Sequence, residues 1–247
     1  PQTAYISQDG KIQNVASYLH PDFLAQARKW YRAIFAVLAP RQITRGGNII
    51  MIQLDNEIGM IQWVRNIMDI NPHTLACFAS YLAGAYGEDL GIHYPTDRLE
   101  AFLKEGLMNP QGEHAARIVN DYIRFYREYI REYTAFLVTE AKQNGLEVPP
   151  VINIHGFANG GKTFPIGISQ LLDVMRMDSI ISATDVYPGH IDEGNIHQLL
   201  LVNEMTKALH HPQQPLFSIE FQAGGGHDLG GRQTSMYDLY TRLCLSS

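Results

Sequence analysis

The chain has 247 residues, 45% of them hydrophobic and 18% charged, and this length suits one (β/α)8 barrel with a sizeable core. Its net charge of −6, without any cluster of Lys and Arg, argues against nucleic acid as a partner, and no apolar stretch is long enough to span a membrane. No signal peptide opens the sequence and its two cysteines, Cys77 and Cys244, lack metal-ligand spacing, so we expect buried free thiols in a cytoplasmic protein.

The first half of the chain is predicted to be mostly helical. Residues 1–17 look irregular and polar, and residues 48–55 form an apolar run predicted to be a strand. Helices are predicted at 22–38, 74–86, 97–107 and 113–144. The first has apolar residues at helical spacing: Phe23, Ala27, Trp30, Ile34 and Leu38. The last carries an aromatic stripe, which we interpret as core packing rather than a ligand groove: Tyr122, Phe125, Tyr126, Tyr129 and Tyr133.

In the second half, strands and helices alternate. Strands are predicted at 151–155, 179–184 and 216–220, and helices at 168–177, 195–210 and 235–244. Strand alternating with helix indicates a parallel sheet with right-handed crossovers, which places the chain in the α/β class.

The phase of the strands favours a barrel over an open sheet. Ile152 and Ile154 alternate with Asn153 and His155, so one face is apolar while the other becomes polar toward the end of the strand. A (β/α)8 TIM barrel produces this pattern, with helices outside and the active site at the carboxyl ends of the strands. An open sheet with a polar edge layer remains the alternative.

The number of predicted strands accounts for only half of a barrel. Four strands would leave two unpaired edges, so we expect residues 1–247 to be a partial catalytic domain taken from a longer chain. On this interpretation the chain covers about strands 4–7 of the barrel with their helices, and a helical insertion follows strand 4.

Two of the predicted strands end in a carboxylate. The run over 48–55 leads to Glu57, and the run over 215–219 leads to Glu220. Paired carboxylates at two strand ends are typical of enzymes that cleave glycosidic bonds.

The segments around both glutamates resemble one group of enzymes. The motif "QLDNEIG" (53–59) is similar to the Asn-Glu motif after strand four in the clan of retaining (β/α)8 glycoside hydrolases. Within that clan, "GGNIIMIQLDNEIG" (46–59) and "PLFSIEFQAGG" (215–225) resemble β-galactosidases of glycoside hydrolase family 35. Residues 71–87 and 185–188 look more like family 42.

The resemblance implies a retaining glycosidase that removes terminal β-D-galactosyl groups, with no cofactor and no metal. Glu57 would be the general acid/base, Glu220 the nucleophile, and Asn56 a hydrogen-bond partner of the sugar 2-hydroxyl. Related barrels accept glucosides, fucosides or arabinosides, so the resemblance supports a β-glycosidase more strongly than it supports galactose as the sugar. Oligomeric state is left open, with a homo-oligomer as one option.

Other residues are candidates for binding the sugar. Tyr187 lies beyond the strand predicted at 179–184, where it would reach the sugar or orient Glu220. His155 ends the strand predicted at 151–155 and faces the mouth, and Trp63 lies in the loop after Glu57, where an aromatic face would suit a pyranose. Core or helix packing is the alternative for the two aromatic residues. Asn153 and Asp185 also face the mouth as possible polar contacts, and Asp55 shares a face with Glu57. Four histidines are interpreted as solvated surface: His190, His197, His210 and His211.

Two other functions compete with glycoside hydrolysis. Residues 156–163, "GFANGGKT", match the pattern of a phosphate-binding loop and follow a strand, so a nucleotide-binding protein is one alternative. Pro165 and Gly167 interrupt the helix that this motif requires, which favours a Gly-rich loop at the barrel mouth. A catalytically silent carbohydrate-binding barrel is the other alternative, and the presence of both glutamates argues against it.

Overall fold

The computed structural model describes residues 2–59, 67–109, 111–154, 168–186, 196–216 and 218–221. Its strands are β1 (Ala4–Ile6), β2 (Ile12–Ala16), β3 (Ile52–Gln53), β4 (Pro150–Ile154), β5 (Ile181–Val186) and β6 (Ser218–Phe221). Its helices are α1 (Pro21–Leu38), α2 (Pro72–Tyr86), α3 (Leu90–His93), α4 (Leu99–Met108), α5 (Ala115–Gln143), α6 (Ile168–Met175) and α7 (Ile196–Leu209).

The larger sheet of the described residues is parallel. Its four strands lie in the order β3-β4-β5-β6, so strands that follow one another in sequence are neighbours in space. Helix α6 connects β4 to β5, and α7 connects β5 to β6. This is half of a (β/α)8 barrel, and it confirms the predicted fold class and the helical insertion between the first two of these strands.

The two faces of the sheet differ in polarity, as the alternation of apolar and polar residues along the strands predicted. Ile152 and Ile154 of β4 are buried in the main hydrophobic core together with residues of α6. Ile52 of β3 and Leu54 just after it pack against the same core. Asn153, which alternates with the two isoleucines, therefore points to the other side of the sheet, where the barrel interior lies.

Helix α5 forms the centre of the insertion. Its five stripe aromatics are all buried, which confirms the interpretation as core packing. The rings of Phe125 and Tyr129 lie 5.4 Å apart, and Phe78 of α2 stacks on Phe125 at 5.1 Å. Gly145 just after the helix takes a φ of 96°, which glycine adopts without steric cost.

Helix α2 begins at Pro72, two residues before the predicted start, and ends at Tyr86 as predicted. The side chain of Asn71 accepts a hydrogen bond from the backbone N–H of His73 at 2.9 Å, and Pro72 occupies the first turn, where its missing N–H costs nothing. At the other end, Gly87 has a φ of 55° and caps the helix.

The prediction that residues 1–17 are irregular was wrong. β1 and β2 pair in an antiparallel hairpin, and Tyr5 of β1 is buried. The buried carboxylate of Asp69 accepts the backbone N–H of Ile6 at 3.1 Å. Long-range bonds of this kind stabilise a strand whose own sequence is too short to show a pattern.

Three smaller predictions also differ from the structure. The strand expected over 48–55 is reduced to Ile52–Gln53, and Ile50 is 58% exposed. Trp30 is 64% exposed because the buried face of α1 runs through Tyr31 and Phe35 instead. His210 is only 7% exposed, so it is not a surface histidine as predicted; it lies just after α7, and burial lowers its pKa.

Three further predictions concern a C-terminal helix, the two cysteines and membrane-spanning segments. The helix expected over 235–244 and Cys244 lie outside them. Cys77 is a free cysteine, half-buried rather than fully buried. A search of the described helices finds none with the length and apolar character that crossing a bilayer requires.

Candidate active site

The polar side chains of the sheet meet at the carboxyl ends of its strands. Glu57 lies four residues beyond the end of β3, Asn153 is the next-to-last residue of β4, and Asp185 and Glu220 stand near the ends of β5 and β6. Asp185 and Glu220 are register partners in adjacent parallel strands, so their side chains share one face. The strands thereby bring together residues that are far apart in sequence.

Three carboxyl groups form a compact cluster. One oxygen from each of Glu57, Asp185 and Glu220 lies within 4.8 Å of the other two. Asp185 is buried, whereas the two glutamates are partly accessible. A substrate entering from the barrel mouth can therefore reach the glutamates.

A single amide connects the cluster. The Nδ2 of Asn153 donates to Asp185 Oδ2 at 2.8 Å, to Glu220 Oε1 at 3.0 Å and to Asn56 Oδ1 at 3.1 Å. Its Oδ1 accepts the backbone N–H of Glu57 at 2.8 Å. Asn153 is fully buried, with 0% of its surface exposed.

The backbone of Glu57 is unusual. Its φ is 50°, in the left-handed region that L-residues other than Asn and Asp seldom adopt and that costs about 1–2 kcal/mol. The bond to Asn153 holds this conformation on one side. On the other, the buried Ile58 and the bond from Gly59 N–H to Tyr18 Oη at 3.0 Å hold the chain that follows.

Asp55 stabilises the same loop, the one that carries Glu57, through two hydrogen bonds. Its Oδ1 accepts the backbone N–H of Asn56 at 2.8 Å, and its Oδ2 accepts the hydroxyl of Tyr133 at 3.0 Å. Tyr133 belongs to α5 and stacks on Tyr18 at 4.5 Å. The helical insertion thus reaches the loop that carries Glu57.

Burial and mutual repulsion raise the pKa of two of the three carboxyls. Burial is the larger cause for Glu57, and the charge of Glu220 adds to it. The pKa of Asp185 is raised to about 8, first by burial and then by the charge of Glu220, while the bond from Asn153 acts in the opposite direction. Asp185 is therefore neutral at pH 7, and Glu57 holds its proton to higher pH than a free glutamic acid.

The three oxygens are close enough to hold a cation, but their partners suit a hydrogen-bonded network better. The NH2 group of Asn153 points its positive end at two of the three carboxyls, where it would oppose a cation. These contacts therefore favour a hydrogen-bonded network of the three carboxyls over a resident metal.

The structure brings together Glu57, Glu220 and Asn56 from the residues singled out in the sequence. Asn56 donates from Nδ2 to Glu57 Oε2 at 3.4 Å and is exposed toward the mouth. Tyr187, His155, Trp63 and the loop over 156–163 lie outside the described residues. The sequence placed Asn153 and Asp185 at the mouth but gave no sign of how many contacts they make; the one signal was a lone amide in the apolar run of β4.

A parallel half-barrel with paired carboxyls at the carboxyl ends of its strands is the arrangement that (β/α)8 glycosidases use. Comparison with known proteins agrees. Residues 11–83 match the family model of glycosyl hydrolases family 35. The fold matches the crystal structure of a beta-galactosidase from Bacillus circulans sp. alkalophilus with a TM-score of 0.65 and 14% identity, covering 100% of this chain and 36% of that one.

A curated relative adds a different activity. The chain is 30% identical over 230 residues to a beta-1,2-glucosyltransferase of Ignavibacterium album, a match that covers 89% of this chain and 31% of the relative. The chain thus spans about a third of the length of the proteins it matches. The resemblance to the β-galactosidase-like glycoside hydrolases is therefore supported, by the family match over residues 11–83 and by the likeness of the fold.

Proposed function

We propose that this chain carries both catalytic carboxyls of a retaining β-glycosidase that acts on terminal β-D-galactosides. The observation that carries the proposal is the approach of the Glu57 and Glu220 carboxyl oxygens to within 4.8 Å. Retaining enzymes hold their carboxyls about 5–5.5 Å apart, whereas inverting enzymes need about 6.5–9.5 Å to admit a water. The short separation therefore favours double displacement.

In the first step, Glu220 attacks the anomeric carbon while Glu57 gives its proton to the leaving oxygen. The raised pKa of Glu57 favours the protonated form that this step requires. The bond between the sugar and the aglycone breaks as the bond to Glu220 forms, and the aglycone leaves as an alcohol.

In the second step, water hydrolyses the glycosyl-enzyme. Glu220 is now an ester and carries no charge, so the electrostatic cause that raised the pKa of Glu57 is gone. Glu57 has lost its proton and accepts one from water, which attacks the same face of the sugar that the aglycone left. The two inversions together retain the anomeric configuration.

The residues around the carboxyls fit this scheme. Asn56 lies beside Glu57 at the exposed mouth, where we assign it to the sugar 2-hydroxyl, as the family resemblance implies. Cytoplasmic location and a role for Tyr187, His155 and Trp63 in sugar binding belong to the same proposal.

A panel of aryl-β-glycosides tests the proposal on the full-length protein. We expect hydrolysis of the galactoside with the β-anomer released first, as followed by NMR. Glu57→Gln and Glu220→Gln should each collapse turnover of a galactoside with a poor leaving group. Release of the α-anomer, or unchanged turnover in the Glu220→Gln protein, would rule out the assignment.

Transfer of a β-glucosyl group is the second candidate, because the curated relative is named as a beta-1,2-glucosyltransferase. The first step is the same for a glucoside, and a sugar hydroxyl replaces water in the second. The carboxyl geometry serves both outcomes, since Glu57 can accept a proton from either attacking group.

The two candidates differ in the fate of the sugar. With an aryl-β-glucoside and an excess of a glucose disaccharide, a transferase releases more aryl alcohol than free glucose, and the difference appears as a longer oligosaccharide. A hydrolase releases both in equal amounts. The same panel shows whether the glycosyl group is galactosyl or glucosyl.

A further inference from the structure

We propose that Asn153 is a positioning residue that fixes both catalytic carboxyls at once, an inference that rests on the proposed function. Asn153 stands on β4, and the two glutamates come from either side of it, one from the loop after β3 and the other from β6. Its amide contacts the backbone of Glu57 and the carboxyl of Glu220 directly. One hydrogen bond therefore joins Asn153 to each of the two glutamates.

The orientation of the Asn153 amide is set by its neighbours. A backbone N–H of Glu57 faces one end, so that end must be the oxygen. Two carboxyl oxygens and the Oδ1 of Asn56 face the other end, so that end must be the NH2 group. Turning the amide over would place N–H against N–H and oxygen against carboxylates, so one orientation is strongly preferred.

The contact with Glu57 acts on its backbone and thereby on the direction of its side chain. The left-handed φ of Glu57 is unfavourable for this residue type, and the 2.8 Å bond to Asn153 helps to maintain it. Without that bond the loop can relax toward ordinary backbone angles, which would swing the carboxyl away from the leaving oxygen.

The contact with Glu220 acts on the nucleophile. Oε1 accepts from Asn153 at 3.0 Å, which orients the carboxylate. The contact between Asn153 and Asp185 at 2.8 Å holds the amide from the β5 side. Since Asn153 is fully buried, it lies behind the two glutamates and is not placed to contact the sugar.

The test compares two leaving groups in the full-length protein. Dinitrophenol leaves without a proton, so formation of the glycosyl-enzyme from its glycoside needs Glu220 but not the acid Glu57, whereas a simple phenol or alkyl aglycone needs both. Active sites are counted with a 2-deoxy-2-fluoro-β-glycoside, which forms the glycosyl-enzyme and releases it slowly. Rates per counted site are then free of any loss of folded protein.

For Asn153→Ala we expect kcat per site to fall about 10²-fold on the dinitrophenyl glycoside, as misplacement of about 1 Å does in other enzymes, and further on the poor leaving group. KM should stay within about threefold because the sugar contacts remain. Asn153→Asp keeps the size and the acceptor for Glu57 but offers at most one donor in place of two, so it should fold and still lose kcat on both substrates.

Asn203→Ala is the matched control. Asn203 is also a buried amide, but it lies on α7 and pairs with Thr184 at 3.4 Å on the helix side of β5. Its kcat per site should equal that of the unmodified protein. If both Asn153 variants keep kcat per site within about threefold, or if Asn203→Ala shows the same loss, Asn153 does not position the carboxyls.

The same experiment separates this inference from the proposed function. If Glu57→Gln and Glu220→Gln are inactive while the Asn153 variants are normal, only the inference fails. If Glu220→Gln keeps full turnover, both fail.

Discussion

At the scale of single residues, the proposed function makes Glu57 the group whose pKa sets the alkaline limit of activity. Burial and the charge of Glu220 raise this pKa above its ordinary value of 4.5. A raised pKa keeps the acid protonated to higher pH, so the fall in kcat/KM as Glu57 ionises should be centred above pH 4.5. The profile is measured with a poor leaving group on the full-length protein.

The control for this profile is Glu57→Gln with a dinitrophenyl glycoside, which needs no acid. The alkaline fall in kcat/KM should disappear in this variant, because the group that titrates is gone. Persistence of the same fall would assign the limit to another residue.

Asp185 makes a second prediction at this scale, on stability. Its folded pKa of about 8 lies above its ordinary value of 3.8, so between these values the folded protein holds a proton that the unfolded chain has lost. Stability from this group is fully present at low pH and is lost as pH rises toward 8, by at most about 1.4 kcal/mol per pH unit.

Asp185→Asn mimics the protonated form and removes this dependence. The unfolding temperature of the variant relative to the unmodified protein should therefore rise between pH 5 and pH 8, as measured by thermal scans. Asp173→Asn is the control, because Asp173 is only partly buried and pairs with Arg127 at 2.9 Å. A constant difference across pH for Asp185→Asn would show that Asp185 is ionised in the folded state.

At the scale of elements, two helical glycines give a paired prediction about packing. A Cβ at Gly106 of α4 would lie 2.1 Å from Cδ1 of Ile118, which is buried on α5, whereas a Cβ at Gly84 of α2 meets nothing within 4 Å. Alanine favours a helix by about 1 kcal/mol over glycine, so Gly84→Ala should stabilise the protein.

Gly106→Ala should destabilise it instead, by about 1–3 kcal/mol, because overpacking outweighs helix propensity. Denaturant unfolding measures both variants, and adding Ile118→Val, which removes Cδ1, should recover part of the loss. Equal effects of the two glycine substitutions would mean that α4 and α5 are less closely packed than their contact indicates.

The elements also show what the sequence can predict. α2 and α5 were predicted within a few residues, because the helical period is long and both ends carry local signals such as Asn71 and Gly145. β1 was missed because its stability comes from Asp69, more than 60 residues away, through a bond from Ile6. β3 was predicted too long because an apolar run does not reveal how much of a strand finds a partner.

At the scale of the whole molecule, the site was predictable only in part. Glu57 and Glu220 follow from a local pattern, an apolar run that ends in an acid. The role of Asn153 is not local, because it depends on β5 and β6 placing Asp185 and Glu220 beside β4. A parallel sheet brings such residues together only after its register is fixed, and one sequence does not state that register.

The described sheet also predicts how this chain behaves alone. A parallel sheet is normally covered on both faces and paired at its edges, but β3 at one edge has only two residues. Nearby, Ile50 is 58% exposed and Trp30 and Val37 of α1 are 64% and 49% exposed, which is unusual for large apolar side chains. We therefore expect the isolated 247 residues to bind a dye that reports apolar surface, to unfold without a sharp transition and to lack glycosidase activity. The full-length protein is the control in each measurement, and a cooperative, dye-free transition of the isolated chain would show that its exposed apolar side chains need no covering.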